Sequence, residues 1–139
     1  MNQEAKPVST KDEKAGRIAQ AFTDLQSGQV ERARAVFANL MHDPHYGVDA
    51  QRGLAAVAWR HQQADAAIQM LKIAIQQQPD HADAQADLAL LLFLTGRAAE
   101  SLVHWDKRLR LCPADALAWH NYGKALASAG RIDVAVSAF

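Results

Sequence analysis

Residues 88–94, LALLLFL, are seven apolar residues in a row, followed by Thr95 and Gly96. A helix at the surface of a protein carries one apolar stripe, whereas this segment is apolar around its whole circumference. It is also much shorter than the roughly 20 apolar residues that a membrane-spanning helix needs. The pattern therefore predicts a helix that is covered by other parts of the protein on more than one side.

Apolar and small residues recur along the chain with a period of 34 residues. The columns are Gly28, Gln62, Gly96 and Gly130; Ala33, Ala67, Ser101 and Ala135; Phe37, Leu71, Trp105 and Phe139; Leu54, Leu88 and Tyr122; and Ala21, Ala55, Ala89 and Gly123. Small residues allow close helix packing, large apolar residues fill the space between helices, and glycine suits a turn with positive φ. Pro79 and Pro113, also 34 apart, prevent a helix from continuing. Each period therefore predicts a helix, a short turn, a second helix and another turn.

This pattern resembles the tetratricopeptide repeat, a 34-residue helical hairpin. The resemblance covers residues 14–139, and its fullest unit contains Trp119, Tyr122, Gly123, Leu126, Gly130, Ala135 and Phe139. It implies an all-α fold, a right-handed α-solenoid built from antiparallel helix-turn-helix hairpins.

The repeat register predicts one domain over residues 11–139, after a disordered lead of residues 1–10. The repeats are expected at about 14–47, 48–81, 82–115 and 116–139, and the last one is incomplete. Because repeat arrays need terminal caps to stay soluble, we expect either a longer natural protein or self-association through this last repeat.

The resemblance also assigns faces to the apolar run. It implies that Leu88, Ala89 and Leu92 face the partner helix of the same unit, that Leu91 faces the following unit, and that Leu90, Phe93 and Leu94 line the concave face. Asp80 with Asp83 resembles the acidic start of a helix and predicts the beginning of the third unit there.

Charge and cysteine content narrow the possible functions. Fifteen basic residues balance fifteen acidic residues, which gives no basis for a nucleic-acid or membrane-surface partner. The single cysteine, Cys112, cannot form an internal disulfide, and the polar N-terminus lacks the apolar core of a signal peptide. These features favour a cytoplasmic protein.

No catalytic constellation and no cofactor motif is present in the sequence. His42 and His45 lie near Asp43, but two histidines in a turn make a poor metal site. We therefore expect a protein that is not an enzyme and that has no cofactor and no metal.

The resemblance implies a partner-binding groove on the concave face. Its predicted residues are Phe22, Arg52, Trp59, Arg60, Asp83, Asp87, Leu90, Phe93, Leu94, His120, Asn121 and Lys124, and we expect Ile18 and Leu25 beside Phe22 and Asp49 beside Arg52. Trp59 and Phe93 are 34 residues apart and are expected to lie near each other, with Arg52 and Arg60 on one side and Asp83 and Asp87 on the other. The groove would accept an amphipathic peptide or helix with charges of both signs. The alternative is that these residues belong to a thick core or are buried by self-association.

Two functions remain open at this stage. The first is a non-catalytic adaptor that binds a peptide or helix of a partner protein in the concave groove. The second is the N-terminal module of a larger bacterial enzyme of the sulfotransferase, glycosyltransferase or hydroxylase type, used for substrate presentation or self-association.

Overall fold

The computed structural model describes residues 10–130, in which the chain forms seven α-helices and no β-strand. The expectations for the lead before residue 10 and for residues 131–139, including Ala135 and Phe139, lie outside the described residues. The helices are α1 (Thr10–Gln26), α2 (Val30–Leu40), α3 (Gly47–Arg60), α4 (Ala64–Gln77), α5 (Ala82–Leu94), α6 (Ala98–Leu111) and α7 (Ala116–Ser128).

The helices form because their apolar residues recur at helical spacing, so that one or two sides of each helix are buried against neighbouring helices. In α2 the buried residues are Ala33, Phe37 and Leu40, which are four and three positions apart and therefore lie on one face. α5 differs because it is buried on two sides, as its uninterrupted apolar sequence predicted.

The contacts between helices define the architecture. Each helix packs against its neighbours in sequence, and the first helices of successive hairpins, α1, α3, α5 and α7, also contact one another in order. Among the described residues, the second helices α2, α4 and α6 make no such contacts with each other. The first helices therefore form a continuous inner row, and the chain is an all-α helical repeat solenoid, as the period predicted.

The turns inside the hairpins confirm the glycine column. Gly28, Gly96 and Gly130 have φ values of 90°, 81° and 81°, in the left-handed region that glycine adopts at little cost. Gln62 occupies the same position in the second hairpin with φ 61°, and it is the one non-glycine residue with positive φ among residues 10–130. The backbone of this turn is therefore strained by its side chain.

Replacing Gln62 by glycine should raise the free energy of unfolding by up to about 1 kcal/mol, because it removes the left-handed strain of a residue with a Cβ atom. Urea denaturation of the two proteins measures the difference. The matched control is Gln69→Gly at an exposed position inside α4. This control should lower stability by roughly 0.5–1 kcal/mol, since glycine in a helix interior only adds freedom to the unfolded chain. If both changes altered the free energy of unfolding equally, the backbone at Gln62 would not be strained.

The apolar run divides its residues between two neighbours. Leu88, Leu91 and Leu92 share a core cluster with α3 and α4 of the preceding unit, whereas Ala89 and Phe93 pack with α6 and α7. The prediction that Leu91 faces the following unit was therefore wrong, and Leu88 and Leu92 join the preceding unit rather than only their own partner helix. Helical spacing explains this, because Leu91 lies three residues from Leu88 and shares its stripe. Leu90 and Leu94 stay on the open side, as predicted.

α5 begins where the third unit was predicted, with Asp83 in its first turn, but its capping residue differs from the prediction. His81, not Asp80, is the residue before the helix, and its Nδ1 accepts the backbone N–H of Ala84 at 3.1 Å. The sequence did not indicate His81 as the capping residue, because histidine is not a usual residue at the N-cap position. The imidazole nevertheless satisfies one of the free N–H groups of the first turn, so it replaces the expected carboxylate.

The join between the first two hairpins is organised by Asp43. Its Oδ1 accepts the backbone N–H groups of His45 and Tyr46, and Lys14 of α1 donates to Oδ2. The hydrogen bond from Lys14 and then those from Tyr46 and His45 lower the pKa of Asp43 to about 2. The loop is thereby fixed against α1, and it positions the start of α3 at Gly47.

Candidate functional site

The inner row of helices forms a solvent-open cavity of about 240 Å³ between α1, α3 and α5. Six of the predicted groove residues line it, namely Phe22, Arg52, Trp59, Asp87, Leu90 and Leu94. Ala55, Ala56, Leu71 and Leu91 complete the lining. The cavity exists because the side chains of Ala55 and Ala56 are small. Larger residues at these positions would fill the space between the helices.

The apolar part of the cavity is open to solvent. Leu90 and Leu94 are 39% and 55% exposed, and they lie one helical turn apart on α5. Trp59 of α3 is half-buried beside them and packs against the core cluster below. This edge of α5 is the third side of the apolar run, the one that neither neighbouring unit covers.

Phe22 forms the wall of the cavity on α1. Its ring packs on Phe37 with the centroids 4.9 Å apart, which holds it in place. The guanidinium carbon of Arg52 lies 5.3 Å from the centroid of the Phe22 ring, within the range of a cation–π contact. Ile18 and Leu25, which were expected beside Phe22 in the groove, are instead 7% and 6% exposed in the core, where they face α2 and α3.

Arg52 is the centre of an ion-pair cluster at one end of the cavity. Its Nε donates to Asp87 Oδ2 at 2.7 Å, and its Nη1 donates to Asp49 Oδ1 at 3.0 Å and lies 3.7 Å from Asp83 Oδ2. The prediction that Arg52 and the two aspartates lie on opposite sides of the groove was therefore wrong. α3 and α5 are adjacent in the inner row, so residues one repeat apart come into direct contact.

Burial and pairing shift the ionisation of this cluster in opposite directions. Burial alone would lower the pKa of Arg52, but the charge and hydrogen bond of Asp87, followed by the charge of Asp83 and the hydrogen bond of Asp49, together outweigh it, and the pKa is raised. Burial raises the pKa of Asp87 even though Arg52 opposes the rise. The hydrogen bond with His81 is the largest cause that lowers the pKa of Asp49, against the effect of burial.

The ion pairs continue to the fourth unit through Arg108 of α6. Its Nη1 donates to Asp83 Oδ1 at 2.9 Å, and its Nε donates to Asp115 Oδ2 at 3.0 Å. Asp115 also caps α7 by accepting the N–H of Ala118 at its Oδ1. The bond to Ala118 first, and then those with Arg108, lower the pKa of Asp115. The charged chain therefore links α3, α5, α6 and α7.

Sequence reasoning missed three residues of this cluster, His81, Arg108 and Asp115. Arg108 lies on a second helix, and the family pattern assigns concave positions only to first helices. The one available signal was the position of Asp115 directly before α7, which is typical of a capping residue.

The other predicted groove residues lie outside the cavity. Phe93 packs against the core cluster of α6 and α7, and Lys124 Nζ lies 5.7 Å from its ring centroid. Trp59 belongs to the cluster of α3, α4 and α5, so the two aromatic residues do not share one core cluster. Arg60 and His120 are exposed, and Asn121 is half-buried.

The described residues contain no group of three or more histidine, cysteine, aspartate or glutamate side chains placed to hold a metal ion. Within the same part of the chain, no helix has the length and apolar character needed to cross a membrane.

Comparison with known proteins identifies the repeats. The sequence profile of the tetratricopeptide repeat matches residues 52–116, which run from within α3 to the start of α7. These residues are tetratricopeptide repeats. The resemblance seen in the residue columns is confirmed, and the seven helices fit about four such repeats. No curated protein sequence matches the chain significantly.

Solved structures share the fold at low sequence identity. A crystal structure of MamA superposes with a TM-score of 0.74 at 21% identity, covering 91% of this chain and 69% of that one. A second MamA structure gives 0.74 and 21%, with coverages of 94% and 76%. The structure of YrrB, a tetratricopeptide repeat protein with an unusual peptide-binding site, gives 0.69 at 16%, with coverages of 93% and 66%. The repeat family and this fold support a protein-interaction scaffold.

Proposed function

We propose that the chain is a non-catalytic interaction module that binds one segment of a partner protein, a peptide or a helix, in the cavity between α1, α3 and α5. The observation that carries this proposal is the solvent-open apolar edge formed by Leu90 and Leu94 beside Trp59. The groove extends from there along the inner row to Phe93, His120, Asn121 and Lys124, with Arg60 at the end of α3.

The energetics favour an apolar anchor from the partner. Fully burying a leucine side chain contributes roughly 1.5–3 kcal/mol, and about half of that gain is still available at Leu90 and Leu94. The adjoining indole of Trp59 offers a rigid surface, and tryptophan is over-represented among residues that dominate binding energy.

The size of the cavity supports a protein side chain as the occupant. A volume of about 240 Å³ is below the range of roughly 300–1,000 Å³ that is usual for small-molecule sites. One or two side chains of a peptide or helix would fill it, and the rest of the segment would lie along the inner row. YrrB, which shares the fold, carries a peptide-binding site, and this supports the same use here.

Trp59→Ala should weaken binding of the partner segment at least about tenfold, because truncating a buried aromatic anchor commonly costs 2 kcal/mol or more. The binding peptides are obtained from a phage-displayed random library selected on the wild-type chain, then synthesised and titrated by fluorescence anisotropy. The control is Gln69→Ala on the exposed side of α4, which should leave the affinity unchanged.

Circular dichroism must first show that Trp59→Ala retains the wild-type helix content. If the folded variant binds every selected peptide at full affinity, the cavity is not the binding site and Trp59 serves only in packing. If Gln69→Ala weakens binding as much as Trp59→Ala does, the site lies on the other face of the solenoid.

A further inference from the structure

Charged residues collect at one end of the cavity, near the N-termini of the first helices. This acidic end consists of Asp49, Asp83, Asp87 and Asp115 together with Arg52 and Arg108. Four carboxylates face two guanidinium groups. His81 lies beside them, with its Nδ1 accepting the N–H of Ala84 at 3.1 Å and its Nε2 3.1 Å from Asp49 Oδ1. In the acidic end, carboxylates therefore outnumber guanidinium groups four to two.

The two arginines are already engaged inside this cluster. Arg52 donates to Asp87 and Asp49, and Arg108 donates to Asp83 and Asp115. Their side chains are only 16% and 18% exposed. Neither guanidinium is therefore positioned as a free cation for an acidic partner.

The carboxylate oxygens of Asp83 and Asp87, in contrast, remain available to bind a cation of the partner. Asp83 is 57% exposed and Asp87 38% exposed, and Asp87 also lines the cavity. Asp87 Oδ1 has no hydrogen-bond partner among residues 10–130, because Arg52 binds only Oδ2. The open edge of the cluster presents hydrogen-bond acceptors and negative charge next to an apolar surface.

We infer that the groove selects a basic amphipathic segment, in which a lysine or arginine side chain binds at Asp83 and Asp87 while a neighbouring apolar side chain fills the cavity at Leu90, Leu94 and Trp59. The inference rests on the proposed function and adds the charge and layout of the partner. It replaces the expectation of charges of both signs at the end of the cavity that holds Arg52, because Arg52 is paired there, whereas Arg60 at the other end of α3 is exposed.

The layout of α5 sets the spacing of the partner. Asp87, Leu90 and Leu94 follow each other along one side of the helix, and Leu90 and Leu94 lie about 4.5 and 10.5 Å beyond Asp87 at 1.5 Å per residue. A helical partner places its cation about three to seven residues from the apolar anchor, and an extended one places it about one to three residues away. The order along the groove is therefore fixed, with the cation near the start of α5 and the anchor near its end.

The first test is the composition of the peptides selected from the random library on the wild-type chain. We expect enrichment of lysine or arginine at a fixed distance from leucine, phenylalanine or tryptophan, and depletion of aspartate and glutamate. Peptides that need Trp59 but show no basic residue, or that are acidic, overturn the inference while the proposed function stands. A library that yields no peptide dependent on Trp59 overturns both.

The second test changes one charge at a time. Replacing the selected arginine by citrulline in the peptide keeps its shape and removes its charge, and it should weaken binding at least about tenfold. Asp83→Asn should remove most of this difference between the two peptides, whereas Asp65→Asn on α4 should retain it. Raising sodium chloride from about 50 to 500 mM should weaken the arginine peptide more than the citrulline peptide.

The citrulline comparison leaves the protein unchanged, so it does not depend on the folding of any variant. Equal affinity of the arginine and citrulline peptides overturns the inference. A citrulline effect that is the same size in Asp83→Asn as in the wild type also overturns it, because the cation would then bind elsewhere.

Discussion

Leu92→Ala should lower the free energy of unfolding by about 2–5 kcal/mol, whereas Leu94→Ala in the same helix should change it by less than about 0.5 kcal/mol. Leu92 is 1% exposed in the cluster that joins α5 to α3 and α4, so its truncation leaves a cavity in close-packed core. Leu94 is 55% exposed, and its truncation removes little buried contact.

Urea denaturation followed by circular dichroism measures both variants under the same conditions. The pair is matched, because both changes remove the same atoms from the same helix and differ only in the face that they affect. Equal losses of stability would mean that the open side of α5 is covered in solution. The same Leu94→Ala variant should weaken peptide binding, so the pair also separates packing from recognition.

Gly53→Ala should lower the free energy of unfolding by about 1–3 kcal/mol, although alanine is the better helix former. A Cβ atom at Gly53 would lie 2.4 Å from each of three ring carbons of Phe37. Phe37 is fully buried between α1 and α3 and cannot move without disturbing the core. Overpacking therefore outweighs the gain in helix propensity.

Gly16→Ala is the matched control, because Gly16 lies inside α1 and a Cβ atom there would meet nothing within 4 Å. This change should raise the free energy of unfolding by about 0.5–1 kcal/mol, the ordinary advantage of alanine over glycine in a helix. The two substitutions are chemically identical, and urea denaturation should give effects of opposite sign. A stabilising Gly53→Ala would show that α3 does not approach Phe37 as closely as the structure indicates.

The repeat columns predicted the core because they record packing. Ala21, Ala55 and Ala89 are each at most 1% exposed, and Phe37 and Leu71 of the large-residue column are equally buried. A period of 34 residues can persist only if each unit meets its neighbour in the same way, so the residues at the contact recur in fixed register. The fold class and the hairpin turns followed from this signal.

The period could not predict which of two neighbours a residue faces. Leu91 was assigned to the following unit, although its spacing from Leu88 places it on the side of the preceding one. Both sides of α5 are apolar, so its sequence carries no polar boundary to orient it. The angle of each helix within the stack, which depends on all its contacts, decided the outcome.

The sequence predicted the apolar residues of the site but not how its charged residues pair with one another. The cavity residues on α3 and α5 occupy recurring positions, so the family pattern found them. The bond between Arg52 and Asp87 joins residues 35 apart in sequence, and nothing in the periodicity marks two side chains as partners rather than as opposite edges. A pairing of this kind depends on the distance between adjacent helices and on side-chain rotamers.

Because the first helices contact one another only in succession, we expect the solenoid to flex like a short spring at the joints between its units. In residues 10–130, no Cα atom of the first hairpin lies within 8 Å of one in α5, α6 or α7, so few contacts would couple bending at one joint between units to bending at the next. Small changes of angle at these joints add up along the chain and alter the distance between its ends. A segment that contacts α1, α3 and α5 at once spans two of the joints, so its binding would stiffen the first half of the spring and leave the last joint free to bend.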